Sequence, residues 1–217
     1  YKQQRKQLQT EVTDLLRKRG DRPVIVVFEG MDAAGKGGAI RRVVAQLDPR
    51  AYQIHCIAAP EAHELRYPYL WRFWRRLPAR AGMAIFDRSW YGRVLVERVE
   101  QLVRPVDWHR AYTEITHFER NLTDAGAIVI KFWLSIDSEE QLLRFNARQE
   151  TPHKRFKLTD DDWRNRERWD EYVQAAADLL SRTNHAHAPW VIVATNDKYT
   201  ARLAVLQGLL RHLKQVL

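Results

Sequence analysis

The run Gly30-Met31-Asp32-Ala33-Ala34-Gly35-Lys36 fills the first seven positions of the phosphate-loop pattern GxxxxGK[ST]. In such a loop the glycines let the backbone curl. The N–H groups of Gly30, Ala33, Ala34, Gly35, Gly37 and Gly38 can then turn toward phosphate oxygens, reinforced by the positive end of the following helix. Lys36 supplies a mobile charge to a phosphoryl group in transfer. A bare strand-to-helix turn with an exposed lysine would share the glycines, but the apolar strand before the loop and the helix after it favour phosphate. The position after the lysine is Gly37, where the pattern places the hydroxyl that holds Mg²⁺. Mg²⁺ prefers hard oxygen ligands, so another oxygen must serve, and Asp32 inside the loop is the nearest. Its other reading is an Asx-type brace of the loop's own backbone; the missing hydroxyl favours the metal.

A second acidic group, Asp87, ends the apolar run Ala84 to Phe86, where a Walker-B metal ligand stands. Arg88 and Arg93 follow it closely and can grip phosphates bidentately, or pair with Glu97 or Glu100. Arg144 and Arg148 share one helix face and lead into Lys154, Arg155 and Lys157. A basic segment of this kind can close over phosphates and exclude water, or can be a solvated face. Asp160, Asp161 and Asp162 read as a helix start, with Thr159 and Asp162 spaced as a capping pair. The histidines show no ligand spacing.

These groups need strands and helices to hold them. Apolar runs predict strands at Val24–Phe28, Tyr52–Ala58, Met83–Phe86, Ala127–Ser135 and Trp190–Ala194. Helical spacing predicts a basic helix over residues 1–20 and helices from the phosphate loop to Gln46, over Glu61–Leu77, Tyr91–Glu100 and Asp107–Asp124. It predicts others from a Ser138/Gln141 capping box to Arg148, over Asn165–Thr183 and from Tyr199. The alternation predicts an α/β fold with a largely parallel five-stranded sheet covered by helices on both faces. Residues 21–217 read as one P-loop domain, with a lid at about 145–168. Cys56, in an apolar run, reads as a buried core thiol. With no second cysteine, a cytoplasmic protein is the expectation. No apolar run is long enough to span a membrane, and the start at Tyr1 suits a domain taken from a longer chain.

With 36 Lys and Arg against 27 Asp and Glu, the chain carries a formal charge of +9. That favours a polyanionic partner without choosing among nucleic acid, an anionic membrane surface and a phosphate polymer.

Taken together, the stretches Phe28-Glu29-Gly30-Met31-Asp32-Ala33-Ala34-Gly35-Lys36-Gly37-Gly38, Tyr69 to Trp74 and Phe86-Asp87-Arg88-Ser89-Trp90-Tyr91-Gly92-Arg93 resemble the polyphosphate kinase 2 family, as do Lys131 to Leu134, Lys157 to Asp160 and Asn196 to Lys198. The family's loop similarly lacks the hydroxyl. The resemblance implies a three-layer P-loop kinase fold like that of thymidylate kinase, with a helical lid. It implies Mg²⁺-dependent, reversible transfer between inorganic polyphosphate and a nucleotide. Asp32 and Lys36 map onto the Walker-A site, Asp87 and Arg88 onto the Walker-B site, and Arg144 and Arg148 onto the base of the lid. The versions Gly30-Met31-Asp32 and Tyr91-Gly92-Arg93 look like the monophosphate-using group, which includes AMP phosphotransferases. A homo-oligomer, dimer or tetramer, is expected, with apolar faces of the first and last helices available for it. Two other readings compete: an ATP-dependent nucleoside or nucleotide kinase of the same fold, and a basic nucleic-acid-binding protein. Against the second, neither zinc-finger spacing nor an RNA-recognition aromatic motif is present.

Overall fold

The computed structural model describes residues 1–217, apart from the side chains of Lys154 and Lys157, so the expectation of phosphate contact by Lys154 lies outside the described residues. In chain order the elements are α1 (Lys2–Lys18), β1 (Val24–Gly30), α2 (Lys36–Val43), β2 (Gln53–Cys56), α3 (Trp71–Trp74), β3 (Met83–Asp87) and α4 (Val96–Val99). They continue with α5 (Pro105–Asp124), β4 (Ile128–Ser135), α6 (Ser138–Glu150), α7 (Asp160–Glu167), α8 (Trp169–Thr183), β5 (Trp190–Ala194) and α9 (Lys198–Val216). The strands form one parallel sheet in the order β2-β3-β1-β4-β5, as the alternation predicts.

That order makes β1 central, with β3 on one side and β4 on the other. The loop after β1 therefore emerges where the strand order reverses, the place where open α/β sheets bind ligands. Strand β1 is apolar from Val24 to Phe28 because both of its faces are covered. Val24, Val26 and Phe28 enter a core shared with α1, α2 and α9, while Ile25 and Val27 enter one shared with α5 and α8. The same alternation along β4 puts Lys131 on the α5/α8 face. There it is wholly buried, and its Nζ donates to Glu119 Oε2 (2.6 Å), the Tyr91 hydroxyl (2.8 Å) and the Thr183 carbonyl (2.8 Å). Glu119 Oε1 also accepts from Trp90 Nε1 (3.0 Å) and the Tyr91 hydroxyl (2.7 Å). A buried ion pair is costly to break because one partner is left uncompensated. This one fixes Trp90 and Tyr91, just beyond Asp87.

Several expectations are corrected. Cys56 is exposed, because β2 is a short edge strand paired only with β3. The helix expected over Glu61–Leu77 is a 3₁₀ turn at Glu64–Arg66 and the short α3, separated at Pro68, which cannot continue a helix. The cap of α6 is Asp137 rather than Ser138; its carboxylate accepts from the Glu140 N–H at 2.7 Å. The helix expected over Asn165–Thr183 breaks at Arg168 into α7 and α8. The apolar faces of α1 and α9 are not spare. Leu8, Val12, Leu16, Leu206 and Leu209 bury themselves in the chain's own core. Thr159 and Asp162 form the expected capping box. Among the described residues no helix is long and apolar enough to cross a membrane.

Candidate active site

Strand β1 leaves the sheet at Gly30, whose φ is +142°. A Cβ there would lie 2.3 Å from the Leu134 carbonyl oxygen and 2.9 Å from its nitrogen, backbone atoms of a neighbouring central strand. Gly30→Ala is therefore expected to destabilise the fold by on the order of 3 kcal/mol or more. Urea unfolding checks this, and an unchanged midpoint contradicts it. Gly35, at φ +101°, starts α2 from a left-handed conformation, and Ala33 takes φ +60° with a side chain present. Such strain persists only where surroundings enforce it, and α6 supplies the enforcement. Gln141 Nε2 donates to the Asp32 carbonyl (3.1 Å) and Arg144 Nη1 to the Ala33 carbonyl (2.9 Å). Lys36 Nζ folds back onto the loop, donating to the carbonyls of Gly30 (2.7 Å) and Met31 (3.3 Å).

Asp87 and Arg88, at the end of β3, share a cleft of about 610 Å³ with Asp32, Lys36, Arg148 and the start of α7. No hydrogen bond or ion pair reaches the Asp87 carboxylate among the described residues. Asp32 has both oxygens engaged: Oδ1 accepts from Arg88 Nη2 (3.0 Å) and Oδ2 from Asn165 Nδ2 (2.8 Å). The Tyr172 hydroxyl donates to Asn165 Oδ1 (3.0 Å), fixing that amide. Burial lowers the Lys36 pKa, and the nearby Arg88 charge adds to this against the pull of Asp32, Asp87 and Glu29. Burial also disfavours charge on Arg88, but Asp32, Glu29 and Asp87 outweigh it and hold that group above its ordinary value.

Glu29, beneath the loop, is buried, with Oε1 accepting from Ser89 Oγ at 2.7 Å. Burial pushes its pKa up to about 7, against the lowering effect of the Ser89 hydrogen bond, Lys36 and Arg88. A carboxyl raised from 4.5 to about 7 binds its proton more tightly when folded. Its contribution to stability is therefore greatest below pH 4.5 and is lost as pH rises toward 7. Glu29→Gln is expected to flatten that decline by up to about 3 kcal/mol. Parallel stability-versus-pH curves for the two proteins between these limits would contradict the assignment.

The structure brings Asp32, Lys36, Asp87, Arg88 and Arg148 to one cleft together with Ala33, Gly35, Gly37 and Gly38. Arg144 lies deeper. Its guanidinium is occupied by the Ala33 carbonyl, the carbonyls of Thr195 and Asn196 and the Glu140 carboxylate, so in this conformation it braces the loop. Arg93 is turned away, paired with Glu97 at 2.9 Å and stacked over Tyr69, which is the surface pairing its spacing also allowed. Arg155 donates to the Gln149 carbonyl (2.8 Å) within the lid. Sequence reasoning passed over Glu29, Gln141 and Asn165. It also passed over a cavity of about 310 Å³ beside the loop, lined by Ala33, Ala34, Gly38, Arg144, Arg148, Lys198 and Arg202. Glu29 stood inside the Phe28-Glu29-Gly30 match, but a lone carboxylate at a strand end carried no independent signal.

The polyphosphate kinase 2 family model matches residues 1–216. A polyphosphate:AMP phosphotransferase from Acinetobacter johnsonii is 58% identical over 214 residues, covering 99% of this chain and 45% of the relative. An ADP-polyphosphate phosphotransferase from Rhizobium meliloti is 41% identical over 190 residues, 88% of this chain and 62% of the relative. The crystal structure of a polyphosphate kinase 2 from Arthrobacter aurescens superposes with a TM-score of 0.93 at 32% identity, covering 97% of this chain and 77% of that one. The chain thus spans about half the length of the polyphosphate:AMP phosphotransferases it matches.

Proposed function

The chain belongs to the polyphosphate kinase 2 family, and we propose that it transfers a phosphoryl group between inorganic polyphosphate and a nucleotide, with AMP as acceptor. The observation that carries this reading is the chemistry of the 310 Å³ cavity beside the loop. Arg144, Arg148, Lys198 and Arg202 line it among small and aliphatic residues, with no aromatic ring among its described lining residues. A phosphate chain needs cations, which this lining supplies, whereas a nucleotide donor also needs a place for its base, for which the lining offers only arginine planes. An ATP-dependent kinase of the same fold fits this cavity less well. On the other side of the loop a chamber of about 80 Å³ is lined by Met31, Leu95, Val96, Trp133 and Tyr172, with Gln141 and Asn165 at hand. That is the character of a nucleobase site, and it adjoins the wide cleft through Asp32, Arg88 and Asn165. The name of the Acinetobacter relative supports AMP.

In this reading an acceptor phosphate oxygen attacks the terminal phosphorus of the polymer. The bridging P–O bond breaks, and the shortened polymer leaves with its electron pair. The same groups serve the reverse transfer. Lys36 leaves its two loop carbonyls to follow the transferred group, and Arg88 and Arg148 neutralise charge on its oxygens. Asp87 and Asp32 fit Mg²⁺, which commonly takes one or two carboxylates and completes its shell with phosphate oxygens and water. Bound there, Mg²⁺ would supply positive charge to the bridging oxygens. Each Asp32 oxygen accepts one hydrogen bond and keeps a further lone pair, so Asp32 could hold the ion directly or through water. The basic segment of the lid excludes bulk water.

An acceptor panel of AMP, GMP, ADP and GDP, with polyphosphate as sole donor, tests the assignment. AMP is expected to give the highest kcat/KM, by about tenfold or more over the diphosphates, which carry an extra phosphate the chamber must place. A higher value for ADP or GDP would assign the chain to diphosphate acceptors.

A further inference from the structure

Beyond the loop cavity the surface continues in one direction with positive charge. Arg202 of α9 lines the cavity and also lies over the Tyr199 ring, 5.5 Å from its centre. Its guanidinium nitrogens approach to 3.7 and 3.9 Å of where a Gly38 Cβ would be. Arg42 of α2 is turned back along the same helix, Nη1 donating to the Gly38 carbonyl at 3.2 Å. Tyr1 packs its ring on Tyr199, centres 4.7 Å apart, and Arg5 of α1 sits 5.5 Å from the Tyr1 ring centre. Burial alone would raise the Tyr1 hydroxyl pKa; the nearby guanidinium groups of Arg202, Arg5 and Arg42 outweigh it and lower that pKa. Arg42 and Arg202 thus meet at Gly38, and Arg202 and Arg5 flank the packed Tyr199 and Tyr1 rings.

None of the three has a carboxylate within ion-pair distance among the described residues, although Arg50, Arg72, Arg88, Arg93, Arg98 and Arg104 all do. The Arg5 Nε is enclosed and lacks any hydrogen-bond partner among the described residues. Converging like charges with an unmet donor repel one another unless an anion joins them. The anion the site already implies is a polymer that enters at Arg148 and Lys198 and passes Arg202.

We propose that Arg5, Arg42 and Arg202 form an exit track for the distal part of the polyphosphate chain, gripping phosphates that take no part in the transfer. This rests on the polyphosphate reading above and adds a length dependence to it. Short chains end inside the cavity and do not touch Arg5 or Arg42. Long chains reach both and gain affinity without gaining kcat, since contacts made equally in ground and transition states lower KM alone.

The test uses the Arg5→Gln/Arg42→Gln double variant with the shortest linear polyphosphate that supports turnover and with long-chain polymer. Two partly exposed charge contacts predict a rise of about tenfold in KM for the long chain. No change is expected in kcat, in KM for AMP or in KM for the short chain. The salt dependence of the long-chain KM should also become shallower. Preserved short-chain turnover shows that the variant folds. Arg5→Gln alone should give part of the same effect. Arg17→Gln/Lys18→Gln removes the same charge about 20 Å away along α1 and should change nothing. Equal KM increases for both lengths, no increase for the long chain, or the same increase in the Arg17/Lys18 control would overturn the track. Failure of the wild-type protein to use either length would instead remove the polyphosphate reading, and the track with it.

Discussion

Lys36→Met is expected to lower turnover by at least about a hundredfold while the protein stays folded, because a transition-state electrostatic contact is lost. In the structure Lys36 Nζ is held by the carbonyls of Gly30 and Met31, and burial works against its charge. A cation poised this way can exchange two neutral acceptors for phosphate oxygens at little cost. Methionine keeps the stem and the packing but has no charge to bring. Two hydrogen bonds disappear, and so does the penalty of a partly desolvated ammonium, so the net stability change should stay within about 1–2 kcal/mol. Steady-state turnover and thermal unfolding measured together decide the matter. Turnover above about a tenth of wild type would contradict an electrostatic role of this size.

Asp32→Asn separates a metal ligand from a loop brace. The carboxylate accepts from both Arg88 and Asn165, so an amide in its place initially sets one NH₂ against another at Asn165. A flip of the Asn165 amide relieves this, with the Tyr172 hydroxyl then accepting where it now donates. The brace can therefore survive, but the charge cannot. If Asp32 helps hold Mg²⁺ beside Asp87, kcat falls by on the order of a hundredfold and the Mg²⁺ concentration for half-maximal rate rises. Polyphosphate binding without metal should hold steady or tighten, because an anion has left a phosphate site. Asn165→Ala provides the complement: it removes the brace and keeps the charge, and its kcat should fall much less. Near-normal kcat and Mg²⁺ dependence in Asp32→Asn, or an equal loss in Asn165→Ala, would leave Asp32 as a brace.

Much of this architecture was legible because each signal was local. A buried strand, a glycine loop and a helix are adjacent in sequence, and the unbroken apolar run at Val24–Phe28 told that this strand is covered on both faces. The capping box at Thr159 and Asp162 was readable for the same reason. What escaped depended on long-range contact. Lys131 interrupts an apolar strand, and nothing near it in the chain reveals that Glu119, Tyr91 and Thr183 close around it. The helical spacing of Arg144 and Arg148 was clear, but not that Arg144 would reach carbonyls at Ala33 and Thr195 and so support the loop from beneath. Cys56 misled because an apolar run cannot announce whether its strand is central or at an edge. Arg93 could grip a phosphate or pair with Glu97 or Glu100, and in the fold it pairs with Glu97, one helical turn along.

The cavity chemistry bears most directly on which molecule donates the phosphoryl group. The decisive measurement is ADP formation from AMP by the purified chain, stripped of nucleotide and supplied with Mg²⁺ and polyphosphate but no ATP. The cation-lined cavity beside the loop predicts ADP at a rate that depends on enzyme and on Lys36, with the polymer consumed in step. Formation of ADP only when ATP is added, with polyphosphate left intact, would contradict it and make the chain an ATP-dependent kinase of the same fold.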